Sequence, residues 1–462
     1  GAAGGTRAAG VSAMTPVNVL HVEDQITGRV DSRAETRRAE DAGRSPKRRP
    51  EGRGAAGGGG EDRPLVTMAD NSSGSERRAR RRRTAAARAQ ALIRDTCGDL
   101  PAARRIIKCG RIPTGAGNPR VARVDGHAYL SGLQTCGNVW SCVACSYKTR
   151  VKRAFEIAYA VRKHLNNGGG VLHIVVTMPH RAGEALADLW KVISDCWAHV
   201  TSGGGWKTFC QRHGVLGYVR ATEVTHSWAS GWHPHCHVLL FVDAPMSPVE
   251  NEDGFYALRK AIRSRWCTRM AEEHGRTMSE EFGITVDPVK PDEADGSGEY
   301  LTKVGYELAM VDTKLGRSEG HRTPFAIAHD AAETGDTADI GLLREWIAAS
   351  YKKHSISWSR DIRQALGLGK DRTDEELASE DPGGETVVEI DRALWALLAK
   401  RRDGARAGLL AAFENSNDDR RCVAAAVEYL VDIGYPVGVD EAGPTPVIGL
   451  VNHPPRQEQP SC

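Results

Sequence analysis

Hydrophobic residues recur at regular spacings along most of the chain after residue 148, and each spacing predicts a helix or a strand. RVKRAFEIAYAVRKHLNN (150–167) has apolar residues at the helical period, and the glycines at 168–170 are expected to end it. VLHIVVT (171–177) is rich in β-branched residues and predicts a strand. The same criteria predict, in chain order, a helix over 183–200, strands over 215–226 and 232–242, a helix over 255–274, a strand over 284–289 and a helix over 297–311.

The strands predicted over 215–226 and 232–242 are separated by a short turn that contains glycine. Strands this close in sequence are expected to pair as an antiparallel hairpin. Helices are predicted on either side of the hairpin, so the order of the elements predicts an α+β domain in which helices pack against an antiparallel sheet.

The second strand of this hairpin begins with alternating histidines, in the stretch GWHPHCHVLLFV (231–242). His233, His235 and His237 project from the same face of the strand, about 7 Å apart at each step. Neutral imidazole is a common metal ligand, so two of these rings could share one cation. A polar strand end with solvated histidines is the alternative, but the apolar run that follows favours a metal site.

The predicted hairpin brings Glu223 opposite these histidines. Together Glu223, His235 and His237 would offer two imidazole nitrogens and one carboxylate oxygen to a cation. Such a set leaves open coordination positions, which is typical of a catalytic rather than a structural metal site. Taken alone, Glu223 could equally be an exposed carboxylate on a strand.

A second candidate group lies in EYLTK (299–303). On a helix, Tyr300 and Lys303 would share one face. A tyrosine has a pKa of about 10, so it acts as a nucleophile only when its surroundings favour the phenolate. By itself Tyr300 would more often be a packing residue, whereas a neighbouring metal site favours a nucleophile. Glu299 is a candidate accessory residue.

The cysteines of KCGR and CGNVWSCVACSYK predict a second metal site. The spacing of Cys142 and Cys145 is typical of a metal knuckle, and Cys136 and Cys109 would complete a closed, structural zinc site. Cys97 or His127 could replace Cys109. A redox-active Cys-x-x-Cys pair is the alternative interpretation.

Composition and charge refine this picture. Of 462 residues, 40% are hydrophobic and 26% are charged, as in an ordinary globular protein, and no apolar run reaches the ~18 to 20 residues of a membrane span. The eleven cysteines are scattered, which favours a cytoplasmic protein with reduced thiols and no membrane partner. Basic residues offer DNA contacts, in the arginine cluster at 77–83 and on the helix over 150–167 at Arg150, Lys152 and Arg153.

Four segments, HIVVTMPH, ATEVTH, HPHCHVLLF and YLTK, occur in an order that resembles the rolling-circle plasmid replication initiators, in the actinobacterial branch of the HUH endonucleases. The resemblance covers roughly residues 105–365. It implies that the paired metal ligands are His235 and His237, which flank Cys236, and that His233 is accessory. The tyrosine follows the histidines here, whereas in the conjugative relaxases of the superfamily it precedes them.

The resemblance also implies an activity. Tyr300 would attack a phosphodiester of single-stranded DNA at a plasmid origin, with Mg or Mn at the catalytic site and Lys303 beside the phosphate. The products would be a 5′-phosphotyrosyl enzyme and a 3′-OH that primes the host polymerase, and a host helicase is an expected partner. Related initiators often carry a carboxylate four residues before the tyrosine, but here that position is Gly296.

Five regions are expected along the chain: a disordered part rich in Arg, Gly and Ala (1–95), a cysteine-rich zinc element (96–150), the HUH nicking-joining domain (151–320), a helical extension (321–370), and an acidic linker with a helical C-terminal segment (371–462). Two other functions fit part of the pattern. One is a non-catalytic, zinc-stabilised DNA-binding protein or repressor, and the other is an HUH-type transposase.

Overall fold

The computed structural model describes residues 74–124, 127–278, 283–290, 320–381, 383–401, 404–414, 418–435, 437–440 and 447–450. Its α-helices are α1 (Gly74–Cys97), α2 (Val143–Asn166), α3 (Leu186–Val200), α4 (Gly203–His213), α5 (Glu252–His274), α6 (Pro324–Thr334), α7 (Thr337–Ala349), α8 (Ile362–Ala365), α9 (Asp374–Ser379), α10 (Arg392–Leu398), α11 (Ala405–Ala412) and α12 (Asp419–Asp432).

The strands form two sheets of five strands each. They are β1 (Arg120–Val124), β2 (His127–Ser131), β3 (Gly170–Val176), β4 (Val215–Ser227), β5 (Gly231–Val242), β6 (Ile284–Pro288), β7 (Ile356–Trp358), β8 (Glu385–Ile390), β9 (Val437–Asp440) and β10 (Val447–Leu450). The predicted mixture of helices and antiparallel strands is confirmed, and both sheets lie in one chain.

The central sheet has the order β6-β3-β5-β4-β7, and every neighbouring pair in it is antiparallel. The predicted hairpin of β4 and β5 is present, with Ser227 opposite Gly231 at its turn. Gly231 has a φ of 77°, and a Cβ there would lie 3.2 Å from the Cα of Ala182. A larger residue would therefore be strained in this tight turn.

Helices cover the two faces of the central sheet unequally. On one face, which we call the back face, alternate residues of β3 and β5 such as Ile174 and Val238 pack against α3, α5 and α7. On the other, the front face, α2 covers one half, where Val171, Leu239 and Phe241 are buried. The row of histidines on β5 lies on the front face beyond these residues. Because α2 packs only on the apolar half, polar side chains can occupy the other half of the front face without being buried under this helix.

The second sheet has the order β2-β1-β8-β10-β9, so it combines a hairpin near residue 125 with strands near the end of the chain. An isolated two-stranded hairpin is marginally stable at best, and here β8 pairs with β1, with Val388 opposite Val121. Helices α10, α11 and α12 bury their apolar sides against this sheet. The C-terminal segment that was expected to be helical therefore contains the strands β8, β9 and β10 as well as helices.

The acidic stretch after residue 371 is not a linker either. Helix α9 lies within it and packs beside α2, where Asp371 accepts a 2.6 Å hydrogen bond from Arg153. Thr373 and Glu376 form a capping box at the start of α9, which fixes the helix locally. The acidic residues of this stretch pair with basic residues of α2, so the stretch is an ordered part of the fold.

Three further expectations need correction. Helix α1 extends from residue 74, so the predicted disorder up to residue 95 is wrong for its last part, and Ile93 is fully buried in the main core. No element was predicted over 203–213, but α4 forms there, and its Trp206 stacks on Phe209 and contacts Tyr218 edge-on. The extension over 321–370 also contributes the edge strand β7. In the described part of the chain, no helix is long and apolar enough to cross a membrane.

Candidate functional site

Glu223, His235 and His237 converge on the half of the front face that α2 does not cover. Their cross-strand register places Glu223 directly opposite His235. The Oε2 atom of Glu223 lies 2.8 Å from Nε2 of His235 and 3.0 Å from Nε2 of His237. The three side chains are 12%, 13% and 18% exposed. Three metal-ligand atoms thus meet in a partly buried pocket, as the sequence predicted, and we call these residues the triad.

The electrostatics of the triad suit a cation. Burial by itself would raise the pKa of Glu223, but hydrogen bonds to His235 and then His237 outweigh it and hold the pKa well below its ordinary value. The carboxylate is therefore ionised at neutral pH. Neutral imidazoles could turn their Nε2 lone pairs toward the same point as this negative charge. The donor set fits a divalent cation with open coordination positions.

A neutral imidazole that binds metal through Nε2 carries its proton on Nδ1, which then needs an acceptor. Nδ1 of His235 lies 3.4 Å from the backbone oxygen of His233. Nδ1 of His237 lies 3.2 Å from Nε2 of His173. Both candidate ligands therefore face an acceptor on the side away from the triad.

His173 is a site residue that the sequence analysis missed. It lies on β3, and its ring stacks on that of His237 with an interplanar angle of 12°. Burial, and then the proximity of His237, lower the pKa of His173 to about 4, so its ring is neutral at pH 7. A histidine in the middle of the apolar segment VLHIVVT was the available signal. Its partner could not be deduced, because the pairing of β3 with β5 is long-range.

His233 lies outside the triad and pairs with a different residue. Nδ1 of His180 lies 3.0 Å from the carbonyl oxygen of Ser230, to which it donates its proton. Nε2 of His180 then accepts from Nδ1 of His233 at 2.7 Å. Burial is the main cause that lowers the pKa of His233 to about 4. His233 thus connects the loop at residue 180 to the β4–β5 turn.

Tyr300, Lys303 and Glu299 lie outside the described residues. The described chain resumes at Gly320, and Arg322 exchanges two backbone hydrogen bonds with His226, of 2.8 and 2.9 Å. His226 is three residues beyond Glu223 on the same strand. The chain therefore rejoins the central sheet at the end that carries the triad.

The four predicted cysteines form a second, closed cluster. Sγ of Cys109 lies 3.5 Å from Sγ of both Cys142 and Cys145, and Cys136 lies 3.7 Å from Cys145. All four side chains are buried, and hydrogen bonds from the other thiols, that of Cys109 first, lower the pKa of Cys145. The cluster could hold a structural metal such as zinc.

The alternatives for the fourth cysteine ligand do not reach this cluster. Cys97 is buried elsewhere, with its Sγ 3.4 Å from Oγ1 of Thr96. His127 faces Glu414 instead. Four thiols in mutual contact also favour a metal over a redox-active pair, which needs two.

The burial and pairing of the basic residues of α2 do not support the predicted DNA contacts. Arg150 is 1% exposed, and its guanidinium lies 5.3 Å from the centre of the Trp140 ring. Arg153 is buried and bonded to the acidic segment. Lys152 donates to Glu380 at 2.8 Å. Lys152 and Arg153 thus stabilise the packing of the acidic segment on α2, and their charges are paired within the fold.

The segment that carries the triad is similar to known replication proteins. Residues 128–247 match the family described as Replication protein, and the matched segment contains the triad and three of the four cysteines. The chain is also 26% identical to a protein named Protein rep from Streptomyces lividans, over 367 residues that cover 65% of this chain and 80% of that protein. The predicted resemblance to actinobacterial plasmid replication initiators is confirmed.

A second relative of this chain is named Neomycin resistance protein and comes from Streptomyces cyanogenus. It is 29% identical over 141 residues, which cover 25% of this chain and 32% of that protein. No solved structure matches the chain. The sequence likeness therefore extends well beyond the central sheet in one relative and is confined to a short segment in the other.

Proposed function

We propose that this chain initiates plasmid replication by nicking one strand of DNA at the origin, with Tyr300 as the nucleophile and a divalent cation held by the triad. The observation that carries the proposal is the convergence of Glu223, His235 and His237 on the half of the front face that α2 leaves uncovered. This convergence falls inside the segment that matches the Replication protein family. Binding DNA without cleaving it would give no reason for a metal site with open positions.

The triad would hold Mg²⁺ or Mn²⁺, which supplies charge stabilisation to the phosphate oxygens when bound. The phenolic oxygen of Tyr300 would form a bond to phosphorus while the bond from phosphorus to the 3′ oxygen breaks. The tyrosine gives up its proton, and the departing oxygen gains one to become the 3′-OH. Lys303 would favour the phenolate or hold the phosphate. The work left to the protein is alignment and charge stabilisation, as in other phosphoryl transfers.

The return of the chain at Arg322 beside His226 is consistent with a nucleophile supplied from the preceding segment, since the chain re-enters at the end of the sheet that carries the triad. The free 3′-OH would serve as the primer for the host polymerase, and a host helicase would open the duplex. Both partners follow from the resemblance.

A covalent adduct is the most direct test. Wild-type protein with Mn²⁺ and a labelled single-stranded oligonucleotide from the origin is expected to give a protein–DNA adduct on a denaturing gel. The adduct should be absent from Tyr300→Phe protein, because phenylalanine has no oxygen to attack phosphorus. Tyr306, the next tyrosine in the sequence, has apolar neighbours that favour a packing role, so Tyr306→Phe is the matched control and should form the adduct normally.

Adduct from Tyr300→Phe but not from Tyr306→Phe would move the nucleophile to Tyr306. If no strand of the origin gives an adduct while duplex DNA binds tightly, the proposal fails and a non-catalytic DNA-binding protein is favoured. An adduct formed on a transposon end instead of a plasmid origin would favour the transposase.

The His173 contact leads to a prediction about metal affinity. His173→Leu removes the acceptor for Nδ1–H of His237 and is expected to weaken Mn²⁺ binding about 10- to 100-fold, the usual effect of losing such a partner. His173→Gln should retain most of the affinity, because its amide oxygen can occupy the position of Nε2. Titration of free Mn²⁺ by electron paramagnetic resonance measures both. Equal affinities for wild type and His173→Leu would contradict the contact, provided that thermal unfolding shows both proteins folded.

A further inference from the structure

Trp228 is an exposed aromatic residue at the turn between β4 and β5. Its side chain is 61% exposed, although indole is among the costliest groups to leave in water. The turn lies five residues beyond Glu223, about 16 Å along the strand at the usual rise per residue. A large apolar ring is thus presented to solvent near the candidate metal centre.

The ring of Trp228 is held in place from one side. The guanidinium of Arg322 lies over it, 5.8 Å from the ring centre, and His226 contacts it edge-on at 5.2 Å. Arg322 is itself immobilised by a bidentate pair with Asp339, at 2.7 Å for each bond, and by Asp330 at 3.0 Å. The indole is therefore held by a fixed cation and by His226, while more than half of the residue's surface is exposed to solvent.

The turn that carries Trp228 is fixed as well. Oγ of Ser227 and Oγ of Ser230 lie 2.7 Å apart, and the Ser230 carbonyl accepts the hydrogen bond from His180.

The loop at Arg181 packs against Gly231, and a Cβ on this glycine would lie 3.3 Å from the carbonyl oxygen of Arg181. Arg181 is exposed, and its side chain has no ion pair among the described residues. A cation suited to phosphate thus lies beside the turn.

We propose that Trp228 is a stacking platform for a base of single-stranded DNA, with Arg181 available to the backbone phosphate. The proposal rests on the proposed function, since it concerns the same DNA strand on its way past the triad. A preorganised aromatic face beside a free cation is the combination with which proteins bind single strands independently of sequence. Because the indole is already immobile, little conformational entropy is lost when a base stacks on it.

The test is binding of a short fluorescein-labelled oligothymidylate, measured by fluorescence anisotropy without added Mg²⁺ or Mn²⁺ and without chelator, so that no nicking occurs and the cysteine cluster keeps its metal. Trp228→Ala is expected to weaken binding about 5- to 150-fold, the equivalent of the ~1–3 kcal/mol that stacking of one base contributes. Trp228→Phe should retain most of the affinity. Tyr256→Ala, which removes a 47% exposed aromatic side chain from α5, is the matched control and should bind like wild type.

Several outcomes would overturn the platform. These are unchanged binding by Trp228→Ala, an equal loss in Tyr256→Ala, or no binding of the oligonucleotide by wild type. A change in molar mass of Trp228→Ala by light scattering, with DNA binding unchanged, would instead assign the ring to a contact between copies of the chain. The assay contains no added Mg²⁺ or Mn²⁺ and does not depend on cleavage, so a protein that fails to nick but shows the Trp228 effect would refute the nicking function and leave the platform intact.

Discussion

Replacing His235 with alanine is expected to lower the rate of metal-dependent nicking by about 10³-fold or more, the equivalent of ~4 kcal/mol of lost transition-state stabilisation. The reason is that Nε2 of His235 and the carboxylate of Glu223 are 2.8 Å apart, so both would contribute to one cation site. Loss of one of three ligands should also weaken Mn²⁺ binding. Adduct formation over time, at fixed Mn²⁺ and oligonucleotide, measures the rate.

The matched control for this prediction is His199→Ala, because His199 is exposed at the end of α3, away from the triad. It should nick like wild type. If His235→Ala and His199→Ala nick equally well, the triad is not the catalytic metal site. Recovery of the His235→Ala rate at raised Mn²⁺ would show that the loss comes from metal affinity, which supports the site.

Removal of a cysteine ligand should have the largest effect on stability. Cys142→Ser is expected to cost at least ~5 kcal/mol in the free energy of unfolding, since structural zinc contributes about 10–16 kcal/mol in small zinc-binding peptides. Cys109 and Cys136 flank the β1–β2 hairpin, whereas Cys142 and Cys145 begin α2. A metal in the cluster would therefore tie the second sheet to the helix that covers the central sheet.

Zinc content and thermal unfolding test this prediction together. Wild type should carry about one zinc ion per chain at the closed site, and chelation should lower the unfolding temperature as Cys142→Ser does. Cys97→Ser is the control, because Cys97 is equally buried but lies outside the cluster. It should cost about 1 kcal/mol, as a typical single substitution does. Equal losses in the two variants, together with a zinc-free wild type, would refute the metal site.

Local pattern was enough to predict the elements that build the triad. The alternation of the histidines with Pro234 and Cys236 fixed the face of β5 on which they lie, and the short turn fixed the pairing with β4. Both are short-range properties of the chain. The cysteine cluster was predictable for another reason. In a large chain without a disulfide framework, a Cys-x-x-Cys pair with two further cysteines nearby is typical of a zinc site.

Several features depended on contacts between distant parts of the sequence. His173 meets His237 across a pairing of strands 64 residues apart, and β1 meets β8 over an even longer separation. The acidic stretch after residue 371 had the composition of a linker. Its charge pairing with Arg153 and Lys152 and the burial of Leu377 and Ala378 made it an ordered element, and the pairing also removed those cations from the predicted DNA surface.

The sequence alone thus determined which residues could form the two candidate metal sites, because strand alternation, turn length and ligand chemistry operate over a few residues. The tertiary structure decided which half of the front face α2 covers, which groups support the ligands, and that a second sheet joins the β1–β2 hairpin to strands beyond residue 384. These outcomes depend on the register of strands far apart in sequence and on which apolar faces bury each other. No local pattern encodes such a choice, since many registers satisfy the same alternation of polar and apolar residues.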